Sequence, residues 1–384
     1  MPRIEHRVDA GIATSGGPSS GGSPLWREAI HRLPSNSFAF VMATGIVSTA
    51  FELIGWHGVS VTLLVIAGVG LVVLTAFTVA RLIFFRSQVM EDTRDPKRAF
   101  GFFTIVAAVN VVGVRLYSPS APAITITLAI ISVPLWLVFT YGLPGNLMLR
   151  PRTGPVAGDI DGSWFLWVVG TQSLAAAAAT IGMPGNPALA ATAVALWGIG
   201  VMLYLMLATL VTLRLLTVPS KPSSFAPSYW IYMGATAITV LAGSRILLLS
   251  PELPVMRATM PVVSGLTFVL WSFGVWWIPL LILFGIWRHI INRERLRYEA
   301  GLWSIAFPVG MYSVASMDFG AVTGLPGLVA IGRTGTFIAG LVWLAVVVAM
   351  AIAGAGHLRS IGAPRSTADA PITSGHRPVR RCPD

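Results

Sequence analysis

Apolar runs recur along this chain at a near-constant interval, and five of them carry a small residue at a matching place: Ala43, Ala107, Gly170, Gly234 and Gly310. The steps between these residues are 64, 63, 64 and 76 positions. The stretches around them are related: FAFVMATGIVS, FFTIVAAVNVV, FLWVVGTQSLA, WIYMGATAITV and IAFPVGMYSVA. A helix that crosses a bilayer needs roughly 20 apolar residues, so each repeat has room for two crossings and their connections. The pattern predicts an all-α integral membrane protein, with ten transmembrane helices as five quasi-repeated helical hairpins around a central pore. The expected spans cover residues 36–55, 60–84, 100–117, 122–142, 163–181, 188–216, 229–248, 260–288, 302–322 and 334–357.

The two halves of each hairpin differ in kind. Odd spans hold small and polar residues in their middles, among them Thr44, Gly45 and Ser48, Asn110, Thr171 and Ser173, Thr236, and Ser313. Even spans are mostly Leu, Val, Ile and Ala. Polar side chains facing lipid tails cost free energy, whereas a water-filled or protein-lined interior accepts them. The odd spans are therefore expected inside, lining a pathway, and the even spans outside. Small residues also let helices pack closely in any membrane bundle, which is the competing account of the same pattern.

Three positions before each small residue stand Phe40, Thr104, Trp167, Ile231 and Phe307. A spacing of three keeps side chains on one helix face, so these five are expected to form a layer across the pathway. Apolar side chains at a constriction stop ions by excluding the water they need. Phe307 precedes Pro308, which removes a backbone hydrogen bond and bends its span. The alternative for Phe307 is an ordinary core aromatic beside a membrane-helix proline. Elsewhere in the odd spans glycines (Gly45, Gly170, Gly234) stand where bends would fall.

Composition narrows the class. Hydrophobic residues make up 55% of the 384 residues and charged residues 11%, far below the quarter or so usual in soluble proteins. The net charge of +11 does not gather on one soluble face, so no nucleic-acid partner is expected. Of the 26 Lys and Arg residues, 22 fall on one side of the ten expected spans, leaving Arg115, Arg245, Arg257 and Arg333 on the other. Basic loops stay cytoplasmic, which puts both termini inside a multi-pass protein of the cell membrane. Residues 1–33 and 358–384 read as disordered cytoplasmic tails around a transport domain at 34–357. The six histidines and the single Cys382 have no ligand-like spacing, so neither a metal nor another cofactor is expected.

Four charged residues end odd spans on the outer side. Arg115 and Arg245 are placed to make an outer vestibule that attracts anions, or simply to mark the membrane boundary. Glu52 and Asp318 are carboxylates at a depth that usually demands a partner or a task. Pairing with an outer arginine and proton coupling both remain open for them.

The segments FAFVMATGIVS and WSIAFPVGMYSVA resemble the tellurite-resistance/dicarboxylate transporter family, related to slow anion channels and to malate and sulfite permeases. The resemblance spans about residues 34–357, and the Phe-Pro pair of span nine is its most specific element. It implies ten helices in five hairpins, a pore lined by the odd helices, a homotrimer, and occlusion by the phenylalanine that corresponds to Phe307. Gly310 and Pro308 belong to the same segment. The implied function is membrane transport of small inorganic or organic anions such as C4-dicarboxylates, sulfite or tellurite-related oxyanions, with lipid and a second and third copy as the other partners. A proton-coupled dicarboxylate carrier is the alternative to a channel. A membrane-embedded enzyme is a remote reading, since no span interior offers His, Cys or paired carboxylates, and no enzymatic activity is expected.

Overall fold

A computed structural model describes residues 25–149, 158–183, 185–219, 225–296 and 298–362. Among these residues there are helices and turns and no strand. A short helix α1 (Leu25–His31) precedes α2 (Ala39–Leu53), α3 (His57–Phe84) and α4 (Arg86–Arg94). Then come α5 (Phe103–Arg115), α6 (Ala123–Leu149), α7 (Leu166–Gly182) and α8 (Pro187–Thr217). The series ends with α9 (Ile231–Leu247), α10 (Pro254–Ile286), α11 (Trp303–Thr323) and α12 (Pro326–Gly362). Helix α1 lies in a stretch expected to be unstructured, and α12 runs past the expected domain boundary at 357; the remainder of both tails is outside the described residues.

The odd spans appear as α2, α5, α7, α9 and α11, and most residues of these helices are buried. They form a closed ring, each packing on the next and α11 returning to α2. Around them stand α3, α6, α8, α10 and α12, each packed on the central helix before it. These peripheral helices expose rows of apolar side chains, such as Val61, Val65, Val69 and Val72 on α3. Such surfaces are stable only against lipid or another apolar partner.

Among the described residues, eight helices are long and apolar enough to cross a membrane, and a ninth crossing exists if α4 and the segment Ala99–Arg115, bent by 116°, count as one. The difference from ten lies in the central ring. Helix α2 has 15 residues and α5 has 13, about 22 and 20 Å at 1.5 Å per residue, short of a hydrocarbon core of about 30 Å. Four of the central helices are entered through a tight 3-10 turn: Ala99–Phe102, Gly162–Phe165, Pro227–Trp230 and Ala300–Leu302. Irregular backbone at membrane depth survives where protein shields it from lipid, and the periphery provides that shield.

Polar contacts link the central helices at regular separations along the chain. Three such contacts each join residues 63 positions apart, close to the steps of 64 and 63 between the first three small residues: Ser35 Oγ to the Arg98 carbonyl, Asn110 to Ser173, and Arg115 to Glu52. These contacts join neighbouring central helices or their approaches. The small residues mark where central helices approach each other. A Cβ on Gly234 of α9 would lie 2.7 Å from Pro308 Cγ on α11, and one on Gly310 would lie 3.0 Å from Ile46 of α2. Close packing is thus what these two positions serve. The longer last step, 76 residues, is taken up by the 33 residues of α10, a π turn at Trp287–Ile291 and the loop after it.

Candidate transport pathway

A narrow cavity of about 20 Å³ lies at the middle of the ring and is lined by all five central helices. Helix α2 contributes Ile46 and Thr49, α5 contributes Asn110, Val111 and Val114, and α7 contributes Ser173 and Ala176. Ile238, Leu241 and Arg245 come from α9, and Met311 and Val314 from α11. The space is about that of one water molecule, and most of its wall is apolar.

Helical spacing extends this lining in both directions. On α11, Phe307, Met311, Val314 and Asp318 follow one another at intervals of four, three and four, which keeps them on one stripe. Phe307 is fully buried, one turn from Met311 on the side away from Arg245, and Pro308 beside it packs on Gly234. On α9 the stripe runs through Ile231, Gly234, Ile238, Leu241 and Arg245. Thr104 falls on the corresponding face of α5, two turns from Val111, and its hydroxyl donates to the Gly101 carbonyl at 2.7 Å.

Phe40 and Trp167 stand six positions from Ile46 and Ser173, off that face. Phe40 packs edge-on against Trp303, with ring centroids 5.0 Å apart, and against Gly70 of α3. Trp167 stacks on Phe100 and Phe103. Of the five residues expected to form a layer, Thr104, Ile231 and Phe307 thus share helix faces with residues that line the cavity, and none of the five lines it directly.

The polar residues of the central helices divide in a similar way. Asn110 and Ser173 face the cavity and bond each other, Nδ2 to Oγ at 3.2 Å, while Asn110 Oδ1 accepts from Ser132. Thr44, Thr171, Thr236 and Ser313 turn to the periphery instead. Thr44 accepts from Trp343 Nε1 at 3.0 Å, and Thr171 accepts from Trp136 Nε1 at 2.9 Å. Thr236 presses on Gly274 of α10, and Ser313 on Gly335 of α12. Trp197 donates to the Thr239 carbonyl and Trp271 to Ser316 Oγ. These side chains tie central helices to peripheral ones, with tryptophan as the recurring donor. Buried indole N–H groups need acceptors, and hydroxyls on the neighbouring helix supply them. The tryptophans of spans four, six, eight and ten were the sequence signal for this arrangement.

The charged residues also separate. Arg115 Nη2 is held by Glu52 Oε2 at 2.7 Å and Ser60 Oγ at 2.8 Å, and Glu52 Oε1 lies 3.2 Å from His57 Nδ1. That cluster joins α2, α3 and α5 and does not line the cavity. Arg245 does line it, and its Nη2 lies 2.8 Å from Asp318 Oδ2. Both acids are thus paired with arginines, while Arg257 and Arg333 are exposed.

At the other end of the ring, a cavity of about 510 Å³ is bordered by Arg32, Arg81, Lys97 and Arg98. Its cations already have partners: Arg81 and Arg98 share Asp92, Lys97 meets Asp159, and Arg32 meets Glu28. It sits off the ring axis, between α3, α4 and the approach to α2. The approaches to α7 and α9 are joined through Asp161, which accepts from Ser163 N at 2.9 Å and Ser163 Oγ at 2.5 Å and lies 3.4 Å from Ser228 Oγ. Arg214 reaches the Tyr229 hydroxyl in the same region. Burial pushes the Asp161 carboxyl above its ordinary value, with the serine hydrogen bonds and Arg214 pulling the other way.

These features define a multi-pass helical membrane protein with a ring of buried helices around an axial cavity. Residues 32–351 match the family model described as voltage-dependent anion channel (SLAC1), and the chain belongs to that family of anion channels and transporters. An uncharacterized membrane protein of Mycobacterium tuberculosis is 44% identical over 148 residues, 38% of this chain and 75% of that protein. Two uncharacterized transporters of Methanocaldococcus jannaschii are each 28% identical, over 120 and 116 residues, about a third of their own length.

Proposed function

We propose that this protein passes small anions across the membrane along the axis of the central ring, with Phe307 as the side chain that occludes the path. The observation that carries this reading is the cavity built by all five central helices together with the single α11 stripe that bears Phe307, Met311, Val314 and Asp318. An apolar constriction of this width excludes hydrated ions until a side chain moves. The polar stations along it are Asn110, Ser173 and Thr49, neutral groups suited to brief contact with an anion rather than tight capture. So small a cavity favours compact inorganic anions, such as chloride or sulfite, over C4-dicarboxylates.

The same proposal includes ten crossings arranged as five hairpins, both termini on the cytoplasmic side, a plasma-membrane location and a homotrimer. Ring closure and the polar contacts 63 residues apart support the hairpin repeat; the distribution of basic residues supports the orientation; the trimer follows from the family resemblance. The two short helices α2 and α5 would then cross with the help of their lead-in turns.

Anion flux into proteoliposomes tests the reading, with wild type beside Phe307→Ala and chloride, sulfite and malate compared. Flux should rise by at least tenfold in the variant, with chloride or sulfite ahead of malate. A folded Phe307→Ala protein with wild-type flux would remove Phe307 from the role, and no flux of any anion in either protein would contradict the pathway.

A further inference from the structure

The Arg245–Asp318 pair stands where the two cavity-facing stripes end. Arg245 is one turn beyond Leu241 on α9, and Asp318 one turn beyond Val314 on α11, so the pair bridges the two helices at the mouth of the cavity. We propose that Arg245 is an exchangeable anion site: an anion entering the path takes the place of Asp318 on the guanidinium, and Asp318 returns when the anion moves on. This rests on the anion pathway described above and deepens it.

Three observations carry the assignment. Arg245 is the cationic residue in the cavity wall, whereas Arg115 lies outside it, clamped by Glu52 and Ser60. Arg245 has one carboxylate, Asp318, and its Nε is buried without a hydrogen-bond partner, as are those of Arg81, Arg115 and Arg214. Deeper in the path the α9 and α11 stripes offer Leu241, Ile238, Val314 and Met311, so Arg245 is the last charge an entering anion meets.

The energetics favour exchange over simple binding. An unpaired guanidinium at this depth would be costly to leave without a counter-ion. Replacing one anionic partner by another keeps the local charge constant, so neither the resting nor the occupied state holds a bare charge. Asp318 thereby serves two ends: it stabilises Arg245 at rest and competes with weakly bound anions, which keeps the site from trapping its cargo.

The test is chloride uptake and chloride-dependent melting of the purified protein, measured for wild type, Asp318→Asn and the double variant Arg245→Gln/Asp318→Asn. The double variant has no unpaired charge and guards against the unfolding that a single change in a buried pair can cause. With the competitor removed, Asp318→Asn should show a half-saturation concentration for chloride at least threefold below wild type, and a larger rise in melting temperature on replacing gluconate by chloride. The double variant should lose both saturation and the chloride effect. An unchanged half-saturation in folded Asp318→Asn, or a double variant that keeps the chloride response, overturns the proposal. Absence of flux in every protein would contradict the pathway itself, while the melting comparison would still judge the site: an equal chloride effect in all three proteins refutes it.

Discussion

Asp161 shows how one buried residue links neighbouring repeats. It caps the 3-10 turn that leads into α7 and reaches toward Ser228 ahead of α9. Its carboxyl is raised by burial, so its charged form is less favoured in the folded protein than in the unfolded chain. Its contribution to stability is therefore fully present below the unfolded value and is lost as pH rises through the folded one. The melting-temperature difference between wild type and Asp161→Asn should shift in favour of wild type as pH is lowered from neutrality toward 4, when both are followed in detergent. Parallel curves would show that the carboxyl does not feel its burial. At this scale the sequence was least informative. Thr44 and Asn110 look alike as polar residues in apolar helices, yet one turns to Trp343 and the other to the cavity. A helix surrounded on every side has no solvent face to reveal its rotation, so hydropathy alone cannot orient it. The pairing of Glu52 and Asp318 with arginines was foreseen as one of two readings, but only geometry separates Arg245 on the axis from Arg115 beside it.

The helices obey a tighter constraint than length and apolarity suggest. Eight of the ten expected spans recur as helices of membrane-crossing length, because each is a long apolar run that any window detects. Spans one and three are shorter, with 15 and 13 residues of α-helix, and the tight turn that leads into span three is not encoded in composition. The small residues at the repeat positions were legible as a pattern, and their purpose at Gly234 and Gly310 is contact between helices. Gly234→Ala should therefore destabilise the protein by about 1–3 kcal/mol, since its Cβ meets a proline ring that cannot swing away. Thermal melting checks this, and an unaffected variant would mean that α9 and α11 separate freely. Removing a central-to-peripheral tie is expected to cost less. Trp343→Phe should lower stability by about 1 kcal/mol, the usual worth of an interhelical hydrogen bond in a membrane, and should leave flux unchanged. Altered flux would place Thr44 nearer the path than its bond to Trp343 suggests.

For the whole molecule, the ring closure between α11 and α2 turns a linear repeat into an axis. The Phe-Pro segment foretold the family that the match over residues 32–351 establishes, and the apolar runs foretold a helical membrane protein. What neither supplied was which face of each central helix looks at that axis. The α11 stripe answers this in a form that chemistry can test, because the one native cysteine, Cys382, is easily replaced. The decisive measurement is thiol labelling with a charged, water-soluble reagent in a Phe307→Ala, Cys382→Ser background, combined with anion flux. Single cysteines are introduced as Val314→Cys, on the stripe, and Ser313→Cys, one residue away and facing α12. The account requires that the cysteine at 314 reacts and that its modification blocks flux, while the cysteine at 313 stays unmodified and flux continues. Equal reaction at both positions, or undiminished flux after complete labelling at 314, would contradict a path along the axis of the ring.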